Sequence, residues 1–145
     1  MLIQDLENSG ALPVLGQMLQ FASQRQKLLA NNIANMETPD YRPMGVSVRD
    51  FQKSLAKAVE KRRDQTGGLQ GDLPLEDTRE VTQTGGTLTL HPRTPSGNIL
   101  YHDRNNRDLE RMMQDLAENS LNYKATVDFM RRENDLLRSA ITQRP

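Results

Sequence analysis

The sequence has no cysteine and no tryptophan, aromatics make up 4% of it, and its charges cancel, 19 Lys+Arg against 19 Asp+Glu in 145 residues. Without cysteine there is no disulfide, no zinc thiolate site and no thiol nucleophile. Without net charge, no long-range field points to nucleic acid or to an anionic membrane. Long apolar runs are missing as well, and nothing approaches the ~20 residues that cross a bilayer as a helix. The start, MLIQDLENSG, carries acids where a secretory signal carries bases. A protein of this kind that works outside the cytosol is expected to leave without a cleaved signal. With a hydrophobic fraction of 35%, the isolated chain has little apolar surface to set against its conformational entropy. The length favours one domain, and its core is expected to be completed by partners.

What is present is mostly helical pattern. From 10 to 36, Leu12, Leu15, Leu19, Ala22, Leu29 and Ile33 fall on steps of three and four, with Gln26 completing the stripe. Pro13 stands where a first-turn proline is tolerated, and Gly16 weakens the opening turns. A shorter helix begins near Ser47, with Asp50 as a capping partner. Phe51, Leu55 and Val59 then share a face, and the basic run Lys61-Arg62-Arg63 closes it as a solvated end. From 106 to 142 the pattern is longest: Leu109, Met113, Leu116, Ser120, Tyr123, Val127, Met130, Asn134, Leu137 and Ile141 alternate steps of four and three. Asn105 or Asn106 can cap this helix, and Ser120 and Asn134 fix the register of its seam.

Residues 64–106 differ in kind. Six of the nine glycines fall between Gly67 and Gly97, together with Pro74, Pro92 and Pro95, and six acids face three bases. Thr87–Leu90 and Asn98–Tyr101 could be short strands joined through HPRTPSGN. The expectation is a mobile first half, a loose hairpin in the second, and a linker rather than a catalytic core.

No active site is legible. His91 and His102 do not stand at metal-ligand spacing, and His102-Asp103 is a neighbour pair without a nucleophile beside it. TGGLQG and TGGT lack the lysine and following helix of a phosphate-binding loop, so they read as turns. Acids such as Asp115 and Glu118 alternate with bases and read as solvated faces. Basic residues between 25 and 63 come without a nucleic-acid-reading motif.

The stretch LLANNIANMETPDYRP is the exception to bland composition. Asn31, Asn32 and Asn35 should cost roughly 2 kcal/mol relative to alanine in a helix interior. Thr38-Pro39 then ends the helix, because Pro39 lacks an N–H and disfavours helical geometry before it. Ala30 and Ala34 form a small-residue ridge beside the amides, a helix end with hydrogen-bonding edges suited to a repeated contact. On spacing alone, decoration of the helix end accounts for the three asparagines equally well.

This block resembles the N-terminal signature of bacterial flagellar rod and hook proteins, an Ala-Asn-Asn-Ile/Leu-Ala-Asn block ending in Thr-Pro-Gly-Tyr. Ala30, Asn31, Asn32, Ile33, Ala34, Asn35, Thr38, Pro39 and Tyr41 match it, while Asp40 stands where Gly is usual. VRDFQKSL and the C-terminal DLERMMQDLAENSLNYKATVDFMRRENDLLRSAI are similar to the proximal rod subunit of that family. The likeness spans about 10–60 and 106–142.

The resemblance implies a structural subunit, exported unfolded without a cleaved signal, that polymerises across the periplasm into the shaft transmitting motor torque. The expected fold is mainly α: two long terminal helices in an antiparallel, coiled-coil-like pair, a short second helix, and a flexible Gly/Pro-rich middle with at most a small hairpin. Residues 1–63 and 106–145 would form one assembly domain around a variable segment, 64–105. Expected subunit contacts are Leu15, Leu19, Leu29, Asn31, Asn32, Ile33, Asn35, Thr38, Pro39, Tyr41, Leu116, Tyr123, Val127, Met130, Leu137 and Ile141. Partners would be other rod subunits, copies of itself, and a rod-base adaptor or a membrane-ring or export-gate component. No cofactor, metal, nucleic acid or small-molecule substrate is expected. The alternatives are a soluble helical adaptor or export chaperone, or a small enzyme built around His91 and His102.

Overall fold

The computed structural model describes residues 9–68, 70–94 and 109–142. Three helices form there: α1 (Leu12–Ala34), α2 (Val48–Thr66) and α3 (Leu109–Thr142), with a hairpin of β1 (Val81–Thr84) and β2 (Thr87–Leu90) between α2 and α3. Pro13 lies in the first turn of α1, where its missing N–H leaves no bond unmade. The helix stops short of Pro39, as the proline requires.

Helix α2 is capped at both ends by different means. Ser47 Oγ accepts from the Asp50 N–H at 3.1 Å, the forward half of a capping box. The return half comes from elsewhere: the Ser47 N–H donates to Glu80 Oε2 at 2.7 Å, across 33 residues. The helix runs beyond Lys61-Arg62-Arg63 to Thr66 and ends at Gly67, whose φ of 71° is the left-handed conformation that glycine adopts without strain. Arg62 departs from the expected solvated end. It is buried, and its guanidinium donates to the carbonyls of Gly10 at 2.9 Å and Gln70 at 3.4 Å, tying the entry of α1 to the exit of α2.

The middle of the chain requires correction. Thr87–Leu90 is a strand, but its antiparallel partner is Val81–Thr84, with Thr84 opposite Thr87 and Val81 opposite Leu90. The turn is Gly85-Gly86, at φ of 56° and 82°, two positive values that suit the right-handed twist of a tight hairpin. The expected second strand, Asn98–Tyr101, lies outside the described residues, as do His102, Asn105 and Asn106. Nor does the first half stand apart as a linker. Leu73, Leu75, Val81 and Leu88 are buried together with Phe21 of α1 and Phe51, Leu55 and Ala58 of α2. The Phe21 and Phe51 rings stack with centroids 4.0 Å apart. Glycine and proline therefore mark bends in a packed segment, and its apolar residues, too sparse to show periodicity, supply half of the core.

Leu88 is only 2% exposed. Its replacement by Ala should lower the unfolding free energy by about 2–5 kcal/mol. Gly16, in the interior of α1 with nothing within 4 Å of where a Cβ would sit, should gain about 0.5–1 kcal/mol on replacement by Ala. Urea denaturation followed by circular dichroism measures both.

Candidate assembly surface and asparagine loop

Helices α1 and α3 pack against each other. Going up α1 from Gly10 to Gln26, the neighbours on α3 run down from Glu133 to Asp115, so the two are antiparallel. The centre of the seam is polar. Asn119, 2% exposed, donates through Nδ2 to the Ala22 carbonyl at 2.9 Å and to Gln26 Oε1 at 2.7 Å. Its Oδ1 accepts from Arg25 Nη1 at 3.4 Å, and Arg25 also lies 3.6 Å from the Asp115 carboxylate. Gln26 Nε2 donates onward to Ser120 Oγ at 2.9 Å. Each bond contributes only about 0.5–1.5 kcal/mol net, but slipping the seam would strand buried polar groups at about 1–3 kcal/mol each. The knot fixes register.

This face is rotated from the expected stripe. Leu116, Val127, Met130 and Leu137 are half-buried and Tyr123 is at its edge, whereas the most buried positions on α3 are Asn119 and Thr126. The rotation is roughly half of the ~100° step between residues. An apolar stripe could not reveal it, because the centre of contact consists of polar side chains with internal partners; Thr126 Oγ1 bonds to the Asn122 carbonyl at 2.8 Å. On α1, Leu15 and Leu29 are buried, and Leu19 and Ile33 half-buried.

The asparagine block has two kinds of member. Asn32 is buried, and its amide works like a strand residue against the returning chain: Nδ2 donates to the Met44 carbonyl at 2.6 Å, and Oδ1 accepts from the Met44 N–H at 3.2 Å. Tyr41 Oη donates to the same Oδ1 at 2.8 Å and accepts from Asn31 Nδ2 at 3.2 Å. Asn35 folds back on Asn31, reaching its carbonyl at 2.8 Å and Oδ1 at 3.1 Å. Asn32 and Tyr41 thus close the loop between α1 and α2, which holds Thr38 and Pro39 exposed at its tip. Asp40 takes φ = 58°, so the turn keeps the left-handed geometry that glycine usually supplies, at some cost for a residue with a Cβ.

One further surface was missed in the sequence. Leu121, Phe129 and Leu136 on α3 are 67%, 55% and 66% exposed. Spaced by eight and seven, they form a second apolar row, roughly a third of a turn round the helix from Asn119 and Thr126. The signal was present in the spacing, hidden by the longer stripe beside it. Ile141, Met113 and Leu109 are exposed as well. Among the described residues no group of His, Asp and Glu could hold a metal ion.

With this geometry in view, comparison with known proteins is direct. The family model described as "Flagella basal body rod protein" matches residues 18–42, the stretch from mid-α1 through the Asn32–Tyr41 loop. The flagellar basal body rod protein FlgB of Escherichia coli K12 is 32% identical over 120 residues, covering 81% of this chain and 82% of that protein. FlgB of Bacillus subtilis 168 is 29% identical over 135 residues, 92% and 95% of the two chains. FlgB of Salmonella typhimurium LT2 is 31% identical over 121 residues, 79% and 80%.

Four substitutions test the loop. Asn32→Ala should cost about 2–3 kcal/mol, because it leaves both polar groups of Met44 without the amide. Asn31→Ala and Asn35→Ala, at the surface, should be neutral or slightly stabilising by helix propensity. Asp40→Gly should stabilise the chain by about 1 kcal/mol. Chemical denaturation of the four variants gives the order directly.

Proposed function

The chain belongs to the flagellar basal body rod protein family, a structural and not an enzymatic family, and from that membership we propose how it is built into the rod. It is a proximal rod subunit that polymerises through α1 and α3, a coiled-coil-like pair, and so helps to form the shaft that carries torque across the periplasm. The observation that carries this reading is the second apolar row of α3. Leu121, Phe129 and Leu136 lie on a helix whose other face is already closed against α1 by the Asn119 knot. A chain short of apolar residues leaves this row in water, and a neighbouring subunit is what removes it. Thr38 and Pro39, held out on the loop that Asn32 closes, together with Asn31, Asn35 and Ile141, are the other contact points we assign. Asn32 and Tyr41 act by closing that loop, and Leu15, Leu19, Leu29, Ile33, Leu116, Tyr123, Val127, Met130 and Leu137 by building the helix pair that neighbours meet.

Its partners are copies of itself and other rod subunits, with a rod-base adaptor or a membrane-ring or export-gate component at the lower end. Export proceeds without a cleaved signal. The marginal apolar content favours this route, since a weakly stable chain is easily kept unfolded for passage.

Phe129→Asp separates the subunit from a soluble adaptor. Because Phe129 is exposed, the substitution should change monomer stability by less than about 0.5 kcal/mol. Rod assembly and swimming should nevertheless be lost while secretion of the chain continues. Swimming at the wild-type rate, with the variant present in purified basal bodies, would remove the row from the interface.

A further inference from the structure

The hairpin contains an edge that nothing in the rod reading uses. On the outer edge of β2 and its turn, the Gly86 carbonyl, both backbone groups of Leu88 and the Leu90 N–H are bonded to side chains of α1. Gln20 Nε2 donates to the Gly86 carbonyl at 3.2 Å, and Gln20 Oε1 accepts from the Leu88 N–H at 2.8 Å. Gln24 repeats the pattern one step on, donating to the Leu88 carbonyl at 2.6 Å and accepting from the Leu90 N–H at 3.2 Å. Gln17 adds a second donor to the Gly86 carbonyl at 3.3 Å.

The spacing explains the fit. Residues four apart on a helix rise ~6 Å, and residues two apart on a strand span ~6.7 Å, so two glutamines on one face match two successive outward positions. Each amide donates to one residue's carbonyl and accepts from the N–H two residues later, the bonding of a parallel neighbour strand. The opposite edge is covered by another device. The Thr78 N–H and Oγ1 bond to the Val81 carbonyl and N–H at 2.8 and 3.0 Å, and Asp77 Oδ1 accepts from the Gln83 N–H at 2.9 Å.

We propose that Gln20 and Gln24 act as a surrogate strand that denies the β2 edge to the β2 edge of a second copy of this chain. The sequence of β2, Thr-Leu-Thr-Leu, is alternating, uncharged and free of proline, so it carries none of the usual guards of an edge strand and suits pairing with itself. Its exposed residues, Thr87 and Thr89, add no charge. A chain made to meet its own copies through helices has this second, unwanted way of meeting them, and the amides close it. The inference rests on the hydrogen bonds and on the sequence of β2, and stands whether or not the rod reading holds.

The test uses the full chain with Gln20→Ala and Gln24→Ala together, which keep the helix. Self-association should set in at roughly tenfold lower concentration, the equivalent of about 1.4 kcal/mol, with an intermolecular β-sheet band in the infrared that helix-mediated assembly does not produce. Adding Leu90→Pro, which removes one outward N–H and no bond between β1 and β2, should abolish that band. Gln20→Glu with Gln24→Glu keeps both acceptors, adds charge and should stay free of it. The proposal is overturned if the Ala pair behaves as wild type, or if its band survives Leu90→Pro. It is also overturned if the hairpin unfolds in the Ala pair, because the amides would then be holding the strand rather than screening it.

Discussion

The amide of a glutamine or asparagine side chain is a peptide group on a tether, with the same donor and acceptor as the backbone and freedom to reach for another chain segment. This fold depends on that equivalence. Asn119 joins α3 to the backbone of α1, Asn32 joins the end of α1 to the chain before α2, and the same equivalence lets Gln20 and Gln24 cover the outer edge of the hairpin. Gln83 does the same inside the middle segment, accepting from the Leu75 N–H at 2.7 Å and donating to the Leu73 carbonyl at 3.3 Å. Where apolar side chains are scarce, such bonds give direction and register that a small core could not give alone.

Helix α1 shows what this demands of one element. Phe21 faces the core and stacks on Phe51, Gln20 and Gln24 face the hairpin, and Ala22, Arg25 and Gln26 face α3. Residues 20–26, about two turns of α1, thus serve three neighbours. The helix has no side-chain cap at its N-terminus, so its stability comes from these contacts rather than from local signals.

The helices were legible because steps of three and four persist over many turns, and the Ser47–Asp50 cap was legible because it is local. The hairpin was half legible. Thr87–Leu90 alternates clearly, but its partner Val-Thr-Gln-Thr has one apolar residue and no periodicity to find. The seam on α3 was displaced because its centre is Asn119 and Thr126, which no apolar count selects. Partners of polar side chains beyond such a local cap were not legible: Asn32 and Met44, Ser47 and Glu80, and Arg62 and Gly10 are joined by the fold, and sequence spacing carries no trace of it. The resemblance pointed to the asparagine block as a place of importance, and the geometry shows that Asn32 and Tyr41 serve the chain internally.

The Asn119–Ala22 bond closes a loop across 97 residues of sequence. Contacts of that span are made late, since the entropy of closing the loop must be met before any contact within it contributes. A chain that emerges N-terminus first can form the asparagine loop and the core around Phe21 early, but it cannot close the other face of α1 until α3 arrives. Until then the face of α1 that carries Ala22, Arg25 and Gln26 lacks its partners and is open to water. The polar knot therefore works as a clock as well as a clasp: its closure reports that α3 has arrived.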